Sequence, residues 1–196
     1  MTLEVSKFNV EGPLLLTPRV IHDDRGFFFE SWNRMSFAAG LGIKVEDSPS
    51  FLQDNHSRST KGVLRGLHYQ VEPNPQAKLV RCVAGEIFDV AVDLRQSSNT
   101  FGQWIGVHLS ELNHQQLWIP VGFAHGFIAL SESADVLYKA SGYWNKECER
   151  SLLWNDPEIA IQWPLDLIPG SLPLVSPKDA PAPTLAEALS SGDVFA

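Results

Sequence analysis

The chain has few cysteines, no long apolar run and no excess of positive charge. Its 196 residues include 2 cysteines, Cys82 and Cys148, which lack the paired spacing of a cysteine metal site. No stretch reaches the roughly 18 apolar residues of a membrane span, and the first residues do not resemble an export signal. The net charge of −8 disfavours nucleic acid as a partner, because a phosphate backbone needs a basic surface. We expect a reduced, cytoplasmic protein.

Short alternating segments separated by turn residues occupy the middle of the chain. Residues 87–94 alternate between an apolar face and a face with Asp89 and Asp93, which indicates either a wet interior or a solvated side. Further strands are expected at residues 104–109, 115–119, 126–130 and 135–140. This regular spacing favours an all-β sandwich, jelly roll or barrel over a βαβ array. The length suits a single domain over residues 1–196.

Helical signals are short and lie near the two ends of the chain. Residues 34–39 predict one or two helical turns, stopped by Gly40 and Gly42. Residues 184–187 have the spacing of a capping box before one last helix. The prolines between residues 164 and 183 predict extended segments across the surface.

Residues 62–81 bring two arginines, a lysine and a histidine together, among them Arg65, His68 and Lys78. Side chains two apart share a face of a strand, but Arg65 and His68 are three apart with Gly66 between them, so we expect a bulge there. Histidine is the usual residue to take a proton near neutral pH. A single histidine beside apolar residues can equally be structural.

Other candidates are ambiguous when each is taken alone. Arg25, Arg65 and Lys78 can hold phosphates or can be solvated surface charges. Tyr138 can be a core ring or an acid that points into a cavity. The polar run at residues 53–57 can hydrogen-bond a sugar or close a loop.

One spacing raises the question of a metal. Residues 120–125 have the P-x-G-x-x-H spacing of metal-binding cupins and place His125 as a possible ligand. The first half of that signature needs H-x-H, and here Gln70 stands two residues after His68. The set is one histidine short of stable divalent binding, so the sequence predicts no metal.

Several runs together resemble the dTDP-4-dehydrorhamnose 3,5-epimerase family, in the same order and at similar separations. They are DRGFFFE at 24–30, QDNHS at 53–57, LRGLH at 64–68, KLVR at 78–81, FGQW at 101–104, GFAHGF at 122–127, LYK at 137–139 and WND at 154–156.

The resemblance implies a cupin jelly-roll barrel with short peripheral helices, a homodimer, and neither metal nor organic cofactor. The implied substrate is dTDP-4-dehydro-6-deoxy-D-glucose, converted to dTDP-4-dehydro-L-rhamnose on the route to dTDP-L-rhamnose. About residues 1–50 are expected to contribute to the dimer interface, and about residues 164–196 to pack on the barrel.

The resemblance also assigns catalytic roles. His68 matches the family's base, and its carboxylate partner falls on Asp179. Lys78 matches the residue that stabilises the enolate oxygen, and Tyr138 matches the acid on the opposite face of the sugar.

Substrate-binding roles carry over to a wider set of residues. These are Arg25, Glu30, Gln53, Asp54, Asn55, Arg65, Lys78, His125, Glu149 and Lys178. Arg25 and Glu30 are expected to act across the dimer. Trp144, where the family often has tyrosine, and Tyr143 are candidates for stacking near the nucleotide.

Two other classes of function stay open. One is a related enzyme of the same fold, either a mono-epimerase acting at C3 or C5 alone or a keto-isomerase. The other is a non-catalytic sugar-binding cupin or a metal-dependent cupin.

Overall fold

A computed structural model describes residues 3–196. In chain order the strands are β1 (Leu3–Lys7), β2 (Leu14–Pro18), β3 (Ile21–Asp23), β4 (Gly26–Phe28), β5 (Gln53–Thr60), β6 (Val63–Gln70), β7 (Lys78–Ala84), β8 (Glu86–Asp93), β9 (Trp104–Ser110), β10 (Gln116–Ile119), β11 (Phe123–Ala129), β12 (Ser133–Ala140), β13 (Glu149–Ser151) and β14 (Leu174–Val175). The α-helices are α1 (Arg34–Leu41) and α2 (Leu185–Ser191), and short 3-10 turns occur at Leu165–Leu167 and Pro169–Ser171.

Two sheets make up the body of the molecule. The first sheet has the order β1-β2-β10-β7-β12-β5, and the second has the order β13-β6-β11-β8-β9 with β14 added beside β6. Neighbours on these two paths pair antiparallel, whereas β14 lies parallel to β6. The fold is an all-β cupin-type jelly roll with short peripheral helices, which confirms the predicted fold class.

Side chains that alternate inward from both sheets fill the space between them. On β8, Ile87 and Ala91 join this interior cluster, and Asp89 alternates onto the same face. Asp89 and Asp93 are both fully buried, so the expectation of an interior position is confirmed and that of a solvated side is wrong. The interior cluster also includes Val80, Cys82, Ile105, Leu117, Phe127 and Val136.

Both outer faces of the sheets are covered as well. Phe37 of α1 packs with Leu79 and Trp118 on the outside of the first sheet. The C-terminal third of the chain covers the outside of the second sheet with Ile159, Ile161, Trp163, Ile168, Leu185, Ala188 and Val194. No helix within residues 3–196 is long and apolar enough to cross a membrane.

The caps of the two helices differ in how well the sequence predicts them. Asn33 caps α1 with its side chain, but the helix continues through Gly40 and ends at Leu41, with Gly42 left-handed at the C-cap. The predicted stop at Gly40 is therefore wrong: a Cβ there would approach the Val5 side chain to 2.9 Å, so this glycine serves close packing. The capping box of α2, with Thr184 as N-cap and Glu187, is confirmed.

The predicted strands are present, but two of them begin at earlier residues than predicted. The segment expected at residues 126–130 begins earlier, at Phe123, because the chain already pairs with β8 from the Phe123 and Asp93 positions onward. Likewise β12 begins at Ser133 because Ser133 pairs with Thr60.

Candidate active site

A cavity of about 610 Å³ opens between the two sheets at one end of the barrel. The interior of a jelly roll is usually apolar, but many of the inward-facing positions on the strands that line this cavity are polar. Its polar lining is Gln53, Asn55, Ser57, Arg65, His68, Gln70, Gln76, Lys78, His125, Tyr138, Glu149, Ser176, Lys178 and Asp179. The structure therefore brings all four predicted catalytic residues into one cavity.

A bulge in β6 aims two of these side chains into the cavity. The register against β11 pairs His125 with His68 but Phe127 with Arg65, so β6 holds one residue more than its partner. Gly66 lies in the extra stretch with φ 117°, and a Cβ on it would come within 2.7 Å of the β11 backbone. The predicted bulge is confirmed, and it places Arg65 and His68 on the same side of the strand.

His68 pairs with a carboxylate from the far end of the chain. Its Nε2 atom lies 2.6 Å from Oδ1 of Asp179, which is buried. The pairing of β14 with β6, Leu174 beside Val63, brings this segment to the base. Burial alone would raise the pKa of Asp179, but the hydrogen bond and charge of His68 bring that pKa below its usual value. The carboxylate is thus held ionised against the imidazole.

Lys78 enters the cavity from β7 of the opposite sheet. Its Nζ donates to the backbone oxygen of His68 at 3.2 Å and lies 6.0 Å from the centre of the Tyr138 ring. Burial lowers the pKa of Lys78 to about 8, although the charges of Asp89 and Glu149 oppose this shift. Near neutral pH the site therefore holds a buried ammonium group.

Tyr138 faces His68 from the other wall. It lies on β12 of the first sheet, whereas His68 lies on β6 of the second sheet. Burial raises the pKa of the Tyr138 phenol, and the nearby Arg65 charge only partly opposes this. The phenol is therefore protonated at neutral pH and can act as a proton donor.

The mouth of the cavity carries charged and aromatic groups. Lys178 binds Glu149 at 2.7 Å, and the Trp144 ring is exposed beside them. The Trp144 backbone N–H donates to the Gln53 side chain, which in turn donates to Asn55. These contacts form a connected polar rim around the opening.

Three predicted binding residues lie outside the cavity of the single chain. Arg25 bonds to Asp23 in the β3–β4 hairpin, and Glu30 accepts from Asn33 beside α1. Asp54 points to the outer face of β5, where Lys139 binds it at 3.0 Å. The alternation of a strand explains the last case, because Gln53 and Asn55 face inward on either side of it.

Sequence reasoning left three supporting residues without a role. Buried Asp89 bonds to His125 at 2.7 Å. Ser59 accepts from the Arg65 guanidinium at 2.9 Å and so holds it in place. Gln70 braces the loop beyond β12 by accepting from the Asn145 backbone. Inward alternation in β5 and β8 is the signal that points to the first two.

Side chains that could bind a metal do not cluster in the described part of the chain. In residues 3–196 no group of three or more histidine, cysteine, aspartate or glutamate side chains is placed to hold a metal ion. His68 and His125 are neighbours across β6 and β11, but each has its own carboxylate partner.

Comparison with known proteins gives consistent matches over nearly the whole chain. The family model for dTDP-4-dehydrorhamnose 3,5-epimerase matches residues 7–187. The dTDP-4-dehydrorhamnose 3,5-epimerase of Salmonella typhimurium is 55% identical over 185 residues, which is 94% of this chain and 97% of that protein.

Solved structures agree with this match. The dTDP-6-deoxy-D-glucose-3,5-epimerase of Legionella pneumophila, in complex with dTDP-4-keto-L-rhamnose, is 44% identical with a TM-score of 0.89, covering 98% of this chain and 97% of that one. A 3'-monoepimerase from Streptomyces bikiniensis in complex with dTDP-quinovose is 33% identical with a TM-score of 0.86, covering 96% and 91%.

Fold and site together define a cupin-type sugar-nucleotide epimerase. More narrowly, the chain belongs to the dTDP-4-dehydrorhamnose 3,5-epimerase family.

Proposed function

We propose that this protein inverts C3 and C5 of dTDP-4-dehydro-6-deoxy-D-glucose and releases dTDP-4-dehydro-L-rhamnose, in dTDP-L-rhamnose biosynthesis. The observation that carries the proposal is the placement of His68, paired with Asp179, against Tyr138 on the facing wall of one cavity. A ketone flanked by two exchangeable C–H bonds needs a base on one side and an acid on the other.

In this mechanism His68 removes the proton at C3 or C5. The electron pair of the broken C–H bond moves into the C4 carbonyl, and the Lys78 ammonium stabilises the resulting enolate oxygen. Tyr138 then protonates the same carbon from the opposite face, which inverts it. His68 has gained a proton and Tyr138 has lost one, so exchange with water restores both before the second inversion.

Substrate binding uses the residues around the catalytic group. Arg65 and Lys178 supply positive charge for the pyrophosphate, and arginine suits phosphate oxygens with its planar fork. Trp144 and Tyr143 offer exposed rings for stacking near the nucleotide. Gln53, Asn55, His125 and Glu149 provide the remaining hydrogen-bonding groups.

Deuterium exchange tests the proposal directly. Incubation with dTDP-4-dehydro-6-deoxy-D-glucose in D2O should give a product with deuterium at both C3 and C5, and NMR coupling constants should show both centres inverted. Absence of deuterium at both carbons would refute the epimerase assignment.

A second candidate is a mono-epimerase. It is favoured by the structural similarity to the Streptomyces bikiniensis 3'-monoepimerase, whose TM-score of 0.86 is close to that of the double epimerase. The same experiment separates the two, because deuterium and inversion at one carbon alone would support the mono-epimerase.

We further propose that catalysis needs neither a metal nor an organic cofactor. The residue types in the cavity support this, because Gln70 stands where a metal-binding cupin needs histidine. Full turnover after exhaustive dialysis against a chelator is the expected result. Activity that disappears and returns only with a divalent cation would favour the metal-dependent alternative.

The active form is proposed to be a cytoplasmic homodimer of single-domain chains, in which residues 1–50 contribute to the interface. The β3–β4 hairpin supports this, because Phe27 and Phe28 of β4 are exposed and such apolar patches mark interaction sites. Arg25 and Glu30 lie in this same region, outside the cavity of their own chain. We propose that they complete the site of the partner chain.

Mixing two inactive variants tests the shared site. In a mixed dimer of Arg25→Ala and His68→Ala chains, the chain with intact His68 receives Arg25 from its partner, so up to a quarter of the wild-type activity should return after subunit exchange. No recovery in dimers shown to be mixed would contradict action in trans.

A further inference from the structure

Asp89 is a fully buried acid that the mechanism above does not use. It lies on the inward face of β8, and its Oδ1 atom is 2.7 Å from Nε2 of His125. Its other oxygen, Oδ2, is enclosed and has no hydrogen-bond partner within residues 3–196. A carboxylate this deep is costly to bury unless it is paired and hydrogen-bonded, and here His125 is the partner of only one of its two oxygens.

The contact determines which ring nitrogen of His125 carries the proton. A carboxylate only accepts hydrogen bonds, so Nε2 must be the donor. Burial lowers the pKa of His125, and the charges of Lys78 on β7 and His68 on β6 lower it further, against the opposing effect of Asp89 on β8. The ring is therefore neutral, and its Nδ1 atom has a free lone pair.

That second nitrogen is open to the cavity. Nδ1 has no hydrogen-bond partner in the described part of the chain, and it is not among the enclosed, unpartnered side-chain atoms, which belong to Ser48, Ser57 and Asp89. The ring itself lines the cavity together with Lys78 and Tyr138. An unprotonated nitrogen thus faces the place where substrate binds.

We propose that Asp89 is a positioning residue that fixes His125 in the neutral form protonated at Nε2, so that Nδ1 accepts a hydrogen bond from a hydroxyl group of the sugar. An acceptor repels phosphate oxygens and the enolate oxygen, so His125 recognises the hydroxylated ring and not the anionic groups. The inference rests on the proposed function, because it requires a sugar in this cavity.

Nitrogen NMR on the wild-type protein tests the protonation state without any substrate. With ¹⁵N-labelled histidine, long-range correlations should show one neutral histidine with Nε2 protonated, unchanged between pH 6 and 8. The signal is assigned by its absence in His125→Gln, whose amide can still donate to Asp89. A ring protonated at Nδ1, or at both nitrogens, would overturn the proposal.

Binding and kinetics test which part of the substrate is recognised. His125→Gln moves the free acceptor from the Nδ1 position to the amide oxygen, and the resulting misalignment with the sugar hydroxyl should lower kcat/KM about tenfold, since a hydrogen bond of this kind is worth about 1.5 kcal/mol. The dissociation constant for dTDP alone, measured by calorimetry, should stay within about twofold of the wild type. Tenfold weaker dTDP binding would show that His125 binds the phosphates and would overturn the inference.

Two substitutions at Asp89 separate positioning from a structural role. Asp89→Asn keeps an acceptor and should lose less kcat/KM than Asp89→Leu, which keeps the size but leaves Nε2 without an acceptor. Both should bind dTDP normally, and the NMR signal of Asp89→Leu should show a mixture of tautomers. Equal losses in both variants, with weaker dTDP binding, would mean that Asp89 only supports the fold.

If Asp89→Leu does not fold, the wild-type NMR and the His125→Gln measurements still test the proposal. Failure of the proposed function would look different, because the wild-type protein would then incorporate no deuterium from D2O, whatever the tautomer of His125.

Discussion

Two histidine–carboxylate pairs lie in the same barrel, and they differ in access rather than in geometry. His68 and Asp179 are 2.6 Å apart, and His125 and Asp89 are 2.7 Å apart. The His68 side chain is 31% exposed, whereas that of His125 is 7% exposed and its carboxylate is completely buried. We therefore propose that the same two residue types serve proton transfer where the ring is more exposed, and fixed orientation where the ring is almost fully enclosed and meets the cavity through one nitrogen.

The two carboxylates also differ in how the fold positions them. Asp89 is part of a central strand and is placed by the barrel itself. Asp179 lies after β14 and is held by its own backbone N–H, which donates to Ser176. Lys78 interacts with both pairs. Its Nζ donates to the backbone oxygen of His68, and the charge of Asp89 acts to raise its pKa. Four substitutions test whether the two pairs differ in function.

The largest effect is expected from His68→Ala. Without the base, exchange at both C3 and C5 should fall by about 10³-fold or more, because general acid–base groups contribute on this scale. The loss is measured as deuterium incorporation in D2O by NMR. The matched control is His108→Asn, an exposed histidine that also pairs with an acid, Glu86, outside the cavity. Near-normal exchange in His68→Ala would contradict its role as the base.

Tyr138→Phe should affect inversion more than exchange. The base still removes protons, but the acid on the opposite wall is gone, so net inversion is expected to fall by about 10²-fold. Comparison of deuterium at C3 and C5 with the fraction of inverted product measures the difference. Equal losses of exchange and inversion would contradict an acid role for Tyr138.

Asp179→Asn removes the negative charge from the more exposed pair, that of His68 and Asp179. Removal of the charge that orients the His68 imidazole should lower kcat by about tenfold to a hundredfold, the range for hydrogen bonds to charged groups. The dTDP dissociation constant should not change, because Asp179 does not contact the phosphates in this scheme. A variant with normal kcat would contradict the pairing as a catalytic feature.

Lys78→Arg should produce the smallest loss near neutral pH and a distinct pH profile. Since the pKa of Lys78 is lowered to about 8, its ammonium group is lost above that pH, and wild-type kcat/KM should fall about tenfold between pH 7 and 9. The phenol of Tyr138 has a raised pKa and stays protonated over this range. The arginine variant keeps its charge, so its profile should stay flat there. A decline of the same size in both proteins would assign that limb to another group.

The sequence predicted the parts of the fold that depend on local patterns. Alternation located β8 to β12, and the spacing of Arg65, Gly66 and His68 predicted the bulge. Local patterns could not show where an alternating face points. Asp89 and Asp93 are buried because the opposite sheet and the C-terminal segment enclose β8, and apart from β7 the strands of that sheet lie far from β8 in sequence.

The residues of the candidate site also differ in whether a local sequence pattern predicts their position. Residues carried by strands, such as Lys78 and Tyr138, lie where alternation places inward side chains. Asp54 could have been separated from Gln53 and Asn55 by strand alternation alone. No such local rule covers Arg25, which bonds to Asp23 in the turn of the β3–β4 hairpin and lies outside the cavity of its own chain.

The parallel pairing of β14 with β6 has a consequence for the timing of activity. The base and its carboxylate are 111 positions apart in the chain, so the barrel can close around its interior cluster before Asp179 arrives. We therefore expect activity to report that the segment carrying Asp179 has docked beside β6.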